Sequence, residues 1–375
     1  MLLSHTLVAP SGGNNGTLSN GTIAGGSFAS GVATVTNLAW DEVGFISLNA
    51  RVADNDYLGV GNITSTHGFN VGRFIPDHFA ITAGTVAPAC SNAFTYFGQD
   101  FVVSPTSNAF ATPFTLTAQN LANGTTQNYT DSFAKLSLTA WGAAPASAVA
   151  PVYGFSAATL PAGSVLSAST TAPTGSWPSL AAAQPSRGVA SITAKHKVSR
   201  PTALAGVTGL TVSAAPVDAD GVTVAATAVA AASNFYYGRL QMQNAYGSEM
   251  LPLPLPLVAQ YWNGSGWVVN TLDNCTSLPL ATAIGLAFGA GNLSLGETTP
   301  SINGATSGSG LLIAGNANFR LTAPGAGNNG YLTITITTPT WLKYPWVSAG
   351  VDADASARAT FGIFKSPLIY RRENY

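Results

Sequence analysis

The sequence predicts an all-β protein made of tandem β-sandwich domains, immunoglobulin-like in arrangement, and three observations carry that expectation. Short alternating or β-branched runs recur between Gly, Pro and Asn breaks, with little helical periodicity to compete. Only 8% of the 375 residues are charged, about a third of the globular average, so Gly, Ala, Ser, Thr and Asn must fill the surface. The stretch "MLPLPLPLVAQYWNGSGWVVN" (Met250 to Asn270) places prolines at every second position, which excludes a helix and allows an extended edge strand. Closed barrels would satisfy the same pattern of short strands.

Along the chain, Gly31 to Leu38 ("GVATVTNL"), Gly44 to Val52 ("GFISLNARV") and Phe79 to Ala83 ("FAITA") read as a first small sheet. A second block runs through Phe101 ("FVVSP"), Phe114 ("FTLTAQN"), a turn at Asn123-Gly124, Lys135 to Ala140, Gly188 to Ala194, Leu210 to Ala214 and Gly221 to Val229. The Ala/Ser/Pro/Thr-rich stretch Ala143 to Pro185 reads as a long surface excursion. The third block holds Gly310 to Ala314, Ala317 to Thr322, Gly330 to Thr338 and Ala357 to Phe364, of which "YLTITITTP" alternates most cleanly. The length suits two or three domains: an N-terminal β region at 1–80 that is a partial domain, a β-sandwich at 81–237 and a C-terminal β-sandwich at 238–375.

The Leu-Pro stretch has its own logic. Alternate residues of a strand point their amides to one edge, so Pro252, Pro254 and Pro256 leave one edge without donors, and Leu251, Leu253, Leu255 and Leu257 form the apolar stripe. Tyr261-Trp262, Asn263 to Gly266 and Trp267-Val268 then read as strand, turn and strand.

Charge narrows the partners. A formal net charge of −1 with 14 scattered basic residues gives no footprint for a phosphate backbone or an anionic membrane, so no nucleic acid is expected. The apolar run Leu280 to Ala290 is short and broken by glycine, and no membrane span is expected. The start, "MLLSHTLVAPSGGNNG", lacks the basic and apolar regions of a secretory signal. The chain therefore reads as a fragment, without its signal peptide, of an exported extracellular or cell-surface β protein.

Cys90 and Cys275 are the two cysteines, too few for a structural zinc site of cysteine alone. A disulfide or two buried free thiols remain, and an exported setting favours the disulfide.

Asp54 and Asp56, Asp218 and Asp220, and Asp352 and Asp354 are carboxylate pairs at i, i+2; on a loop such pairs can share calcium, and on a strand they face solvent together. Asp218 and Asp220, followed by Gly221, are the calcium candidates; no other cofactor is expected. His5, His67, His78 and His196 show no metal-ligand spacing. Asp77-His78 resembles part of a triad, but neighbours on an extended chain should point apart, and no G-x-S-x-G elbow accompanies them. With neither a dinucleotide fingerprint nor a Walker loop, the expectation is a protein that is not an enzyme. Tyr261, Trp262 and Trp267 could stack on sugar rings; alternatively, one tryptophan packs in the core and the other pairs across strands.

Four segments carry a resemblance: "GRFIPDHF" (Gly72 to Phe79), "FTYFGQDF" (Phe94 to Phe101), "GRLQMQNAYGSEMLPLPLPLVAQYWNGSGWVVNTLDNCT" (Gly238 to Thr276) and "RATFGIFKSPLIYRRENY" (Arg358 to Tyr375). They resemble the C-terminal region of MshQ-type proteins of MSHA type IV pilus biogenesis in Gram-negative bacteria. The resemblance implies a non-enzymatic, pilus-associated structural or adhesion module whose partners are pilus or pilin-like components, other surface proteins or glycans. A calcium-dependent carbohydrate-binding adhesin and a secreted hydrolase are the rival readings. The final "SPLIYRRENY" has an apolar side, and Leu368 to Tyr370 are expected to pair into the last sandwich.

Overall fold

The computed structural model describes residues 1–65, 68–90, 93–100, 109–138, 153–170, 173–346 and 350–362, and within them the chain is all-β. The expected strand at Phe101, the pairing of Leu368 to Tyr370, the stretch 143–152 and His67 lie outside the described residues.

Strands β1 (Leu2–Ala9), β2 (Gly44–Arg51) and β3 (Phe69–Phe74) form an antiparallel ribbon in that order. The sequence reading missed β1. It also placed a strand at 31–38, where the backbone instead reverses: Ser30 and Gly31 have φ of 49° and 81°, and Ala29 and Val32 exchange backbone hydrogen bonds across them. Gly31 is thus a hairpin-turn residue rather than the start of a strand. The ribbon is tied down by Glu42, 4% exposed, which accepts hydrogen bonds from Asn14 Nδ2 and from the backbone N–H groups of Gln127 and Asn128. An Arg73–Asp220 ion pair adds a second anchor.

The first sandwich contains β4 (His78–Ala83), β5 (Thr95–Tyr96), β6 (Phe110–Gln119), β7 (Leu166–Ala168), β8 (Val189–Val198) and β9 (Ser233–Tyr236). One sheet runs β7-β8-β6-β4, and β9 pairs with Thr208–Leu210 on one side and, in parallel, with β5 on the other. Alternation sends Phe114, Leu116 and Ala118 of β6 and Ala190, Ile192 and Ala194 of β8 into one core. The described part of 143–185 is not a surface excursion. Ser156–Ala157 pairs with Val212–Ala214, and both β7 and Thr174–Gly175 pair with β8. Its apolar residues explain this, since Phe155, Leu160, Leu166 and Trp177 pack on the core. Lys135 to Leu138, by contrast, is irregular, because the N–H groups of Lys135 and Leu136 bond the Tyr129 hydroxyl rather than a neighbouring strand.

His196 lies in β8, fully buried, with Nε2 2.6 Å from Thr112 Oγ1. Burial pushes its pKa down to about 3. A depressed folded pKa means that the unfolded chain takes up the proton first, so this stability is full above about pH 6.5 and is lost as pH falls toward 3. Between pH 7 and pH 4 the group should cost on the order of 3 kcal/mol. Melting temperatures of the parent and of His196→Phe across that range should differ in slope; equal slopes would refute the assignment.

The second sandwich comprises β10 (Gly238–Met242), β11 (Ala245–Gly247), β12 (Leu253–Leu255), β13 (Leu257–Trp262), β14 (Trp267–Val269), β15 (Ile284–Gly291), β16 (Pro300–Ser301), β17 (Phe319–Leu321), β18 (Gly330–Ile336) and β19 (Ala355–Phe361). Its sheets run β10-β13-β14, β11-β19-β18-β15 and β12-β17-β16, and their inward residues share one core. The Leu-Pro strand β12 is an edge. Leu253, Leu255 and Leu257 are 4%, 2% and 2% exposed, each contributing about 2 kcal/mol by burial, while Pro252, Pro254 and Pro256 face outward. Leu251 falls outside the stripe, 65% exposed, because its N–H closes a turn onto Ser248 O. Pro254→Val should restore a donor on the open edge and promote self-association, read as a concentration-dependent mass in analytical ultracentrifugation. A variant that associates no more than its parent at each concentration would mean the prolines do not protect this edge.

Candidate functional site: the junction of the two sandwiches

The two cores meet where β9 runs into β10, and each borrows residues from the other side. Cys90, Phe94 and Tyr96 lie near the first sandwich in sequence but are buried in the core of the second. Trp262 and Trp267 belong to the second sandwich and pack against the core of the first. Strand alternation makes this exchange possible. Tyr261 and Trp262 are adjacent in β13 and point to opposite faces, so one joins each core.

Cys90 and Cys275 form a disulfide across this junction, with Cα atoms 5.3 Å apart and a sequence separation of 185. Beside it lies Asp273, fully buried. Its Oδ2 accepts hydrogen bonds from Tyr96 OH (2.9 Å) and Thr276 Oγ1 (2.7 Å), and its Oδ1 from the N–H groups of Thr276 (2.9 Å) and Cys275 (3.2 Å). Asn270 Nδ2 donates in turn to the Tyr96 hydroxyl at 2.8 Å. Burial and the charge of Asp273 push the Tyr96 pKa well up, so the phenol keeps the proton that it donates. A buried carboxylate is tolerable only when its lone pairs are filled, and four donors fill these.

Arg200 latches the other flank. Its Nη2 donates to Gly238 O at 2.7 Å, and its Nη1 bonds Lys343 O and Asp352 Oδ2, the latter at 3.2 Å. The guanidinium also lies over the Tyr237 ring, 4.2 Å from its centroid. A second arginine continues the stack: Arg239 sits 4.0 Å from the Trp267 centroid, 4.9 Å from Trp346 and 5.1 Å from Tyr344. Such cation–π contacts contribute about 0.5–2 kcal/mol each, more when desolvated. A cavity of about 330 Å³ opens at the same junction, lined among others by Gln99, Cys275, Pro339 and Trp341, and no charged side chain is among its lining residues.

The residues singled out from the sequence fall in several places. Asp218 and Asp220 do not offer themselves jointly to a calcium ion. Asp218, 5% exposed, accepts the N–H groups of Asp220 and Val222 at 2.9 Å and the Tyr129 hydroxyl at 2.7 Å, while Asp220 pairs with Arg73. The carboxylate of Asp218 closes a turn, and an ion would have to displace those donors. Asp56 and Asp354 likewise accept backbone N–H groups, from Gly61 and Thr338.

The three ring candidates are used internally. Tyr261 stacks on Tyr236 at 4.5 Å, and Trp262 meets Trp267 edge-on across the hairpin at 5.7 Å. The expected division between one core tryptophan and one cross-strand tryptophan does not hold, because the two rings pair with each other and both pack on the first core. Asp77 and His78 do not point apart: Asp77 Oδ2 is 2.9 Å from His78 Nδ1, and Nε2 is taken by Gln119 Oε1 at 3.0 Å.

Sequence reasoning missed Asp273, Tyr96 and Arg200. Asp273 stands two residues before Cys275, and that adjacency is its one local signal; Arg200 has none.

A family model described as "DUF6701, third domain" matches residues 42–238, and one described as "DUF6701, fourth domain" matches residues 236–374. No curated protein matches the chain. Two solved structures are similar. The adhesin InvE of Yersinia pseudotuberculosis is 16% identical over 76% of this chain and 61% of its own, with a TM-score of 0.26. The zebrafish RET cadherin-like domains 1 to 4 are 6% identical over 84% of this chain and 57% of theirs, also with a TM-score of 0.26. The chain thus spans less than two thirds of either.

Proposed function

The chain belongs to the DUF6701 family, matching its third and fourth domains in series, and on that premise we propose that it is a non-enzymatic, stiff two-sandwich module of a pilus-associated surface protein. The observation that carries this reading is the interlocked junction. Two sandwiches joined by a simple linker would move freely; here a disulfide, a buried carboxylate with four donors and an arginine latch span the boundary. A module that must hold a distal part away from a surface, or transmit tension, needs that stiffness. The disulfide supports an oxidising, extracellular setting. The carboxylates of Asp218, Asp220 and Asp354 are engaged in turns and ion pairs, which favours structure over hydrolysis.

The pilus association rests on the four MshQ-like segments and is tested separately. Pili sheared from cells producing the protein should carry it, detected by antibody, and a strain without pilin should lose it from the sheared fraction. Recovery only in the cell-body fraction would refute the pilus association. Small-angle scattering tests stiffness: the profile should fit a single fixed arrangement of the two sandwiches, and a profile that requires an ensemble of interdomain angles would refute the stalk.

A further inference from the structure

Among the described residues, one long strand edge of the second sandwich has no partner. In the sheet β11-β19-β18-β15, the inward residues of β18, Leu332, Ile334 and Ile336, are fully buried, and those of β19, Ala355, Ala357, Ala359 and Phe361, are at most 5% exposed. In β15 the corresponding row, Ile284, Leu286 and Phe288, is only half-buried. Burial therefore falls off within one strand, at the edge. Among the described residues β15 pairs only with β18, so on its other edge every second residue directs an N–H and a C=O that no described strand pairs.

The composition of this edge makes the gap notable. Natural sheets blunt long edges with proline, lysine or bulges, and this chain does so at β12 with three outward prolines. Strand β15 reads "IGLAFGAG", with no proline and no charge. Its register shift comes only at its far end, between Phe288 and Gly291. The outward row is small: Gly285 and Ala287 are exposed, and Gly289 is covered by the Tyr331 ring, which an added Cβ would strike at 2.0 Å.

We propose that the open edge of β15 pairs antiparallel with β15 of a second copy of this chain, extending the sheet across a two-fold axis. The edge is self-complementary in the sense that such an axis requires. An incoming strand must bring apolar side chains at alternate positions to cover Ile284, Leu286 and Phe288, and β15 carries that pattern. It must also bring no charge against an uncharged edge, and it brings none. The formal net charge of −1 on the whole chain leaves little repulsion between copies. Main-chain hydrogen bonds would supply the affinity and the alternating apolar row the register.

The test uses the whole chain. Sedimentation equilibrium over a hundredfold concentration range should show reversible dimerisation, and amide exchange in β15 should slow as concentration rises. The double variant Gly285→Lys/Ala287→Lys places charges on exposed outward positions, where a Cβ added at Gly285 meets nothing closer than Thr335 O at 3.8 Å, and it should weaken dimerisation at least tenfold while leaving the melting temperature of the monomer unchanged. Ala287→Ser, small and uncharged, should dimerise like the parent and serves as the control for fold. Three results would overturn the proposal: a monomer at every concentration; β15 amides protected in the monomer, which would mean that the edge is covered within one chain; or a dimer indifferent to the two lysines, which would place the contact elsewhere.

Discussion

Reduction of Cys90–Cys275 is expected to lower stability by up to about 5 kcal/mol, the chain-entropy value for so long a closed loop, and to split one cooperative melting transition into two. The bond closes 185 residues, and it joins the segment before β5 to the second core, so its loss releases the element that makes one folding unit of two sandwiches. Both cysteines are buried, at 0% and 2% exposure. The folded oxidised protein should therefore resist thiol reagents and mild reductants until it opens. Pulling the chain from its two ends gives a larger signal. With the bond intact, the residues between the cysteines cannot extend, and reduction should add about 650 Å of contour at roughly 3.5 Å per residue. Complete thiol labelling of the unreduced protein, or equal contour lengths with and without reductant, would mean that the bond is absent.

Such a bond would serve the stalk role proposed above. A disulfide between distant residues shortens the length of chain that force can draw out, and the part shielded here spans most of the first sandwich and the start of the second. The arginine and aromatic stack from Tyr237 to Trp346 lies beside that tether, so a bend at the junction would have to break its contacts as well.

What the sequence made legible follows from how local each cause is. The Leu-Pro edge could be read because a missing amide and a fixed φ belong to each proline whatever surrounds it. The hairpin between Trp262 and Trp267 could be read for the same reason: Asn263 Oδ1 accepts the N–H groups of Ser265 and Gly266 inside the turn itself. Non-local causes were illegible. Tyr96 and Asp273 meet across 177 residues, and Arg200 and Asp352 across 152; nothing near any of them in sequence marks the partner. The calcium reading of Asp218 and Asp220 had the right residue types for a turn but could not see Tyr129 arriving from 89 residues away. Strand β15 was passed over because glycine at alternate positions breaks the pattern of a strand, and only the Tyr331 ring lying on Gly289 shows what the missing side chain makes room for.

Asp273 is where the junction should be most sensitive. Asp273→Ala removes the acceptor for two hydroxyls and two backbone N–H groups in a site with no exposure. Leaving buried donors without partners costs about 1–3 kcal/mol each when they find no other acceptor, so a total of about 3 kcal/mol or more is expected, close to half the net stability of a small domain. Tyr96→Phe removes one of the four donors and should cost about 1 kcal/mol. The decisive quantity is the coupling. Tyr96 reaches the site from the first sandwich's side of the chain and Asp273 from the second, so a double-mutant cycle between them reads how strongly the two halves hold each other. If the junction is a fixed structural element, denaturant unfolding should give a coupling of about 1–2 kcal/mol. Asp273→Ala should in addition let the second sandwich unfold before the first even with the disulfide intact. Additive effects, with both sandwiches still melting as one, would show that the buried carboxylate serves only its own turn and that the disulfide and arginine alone hold the halves together.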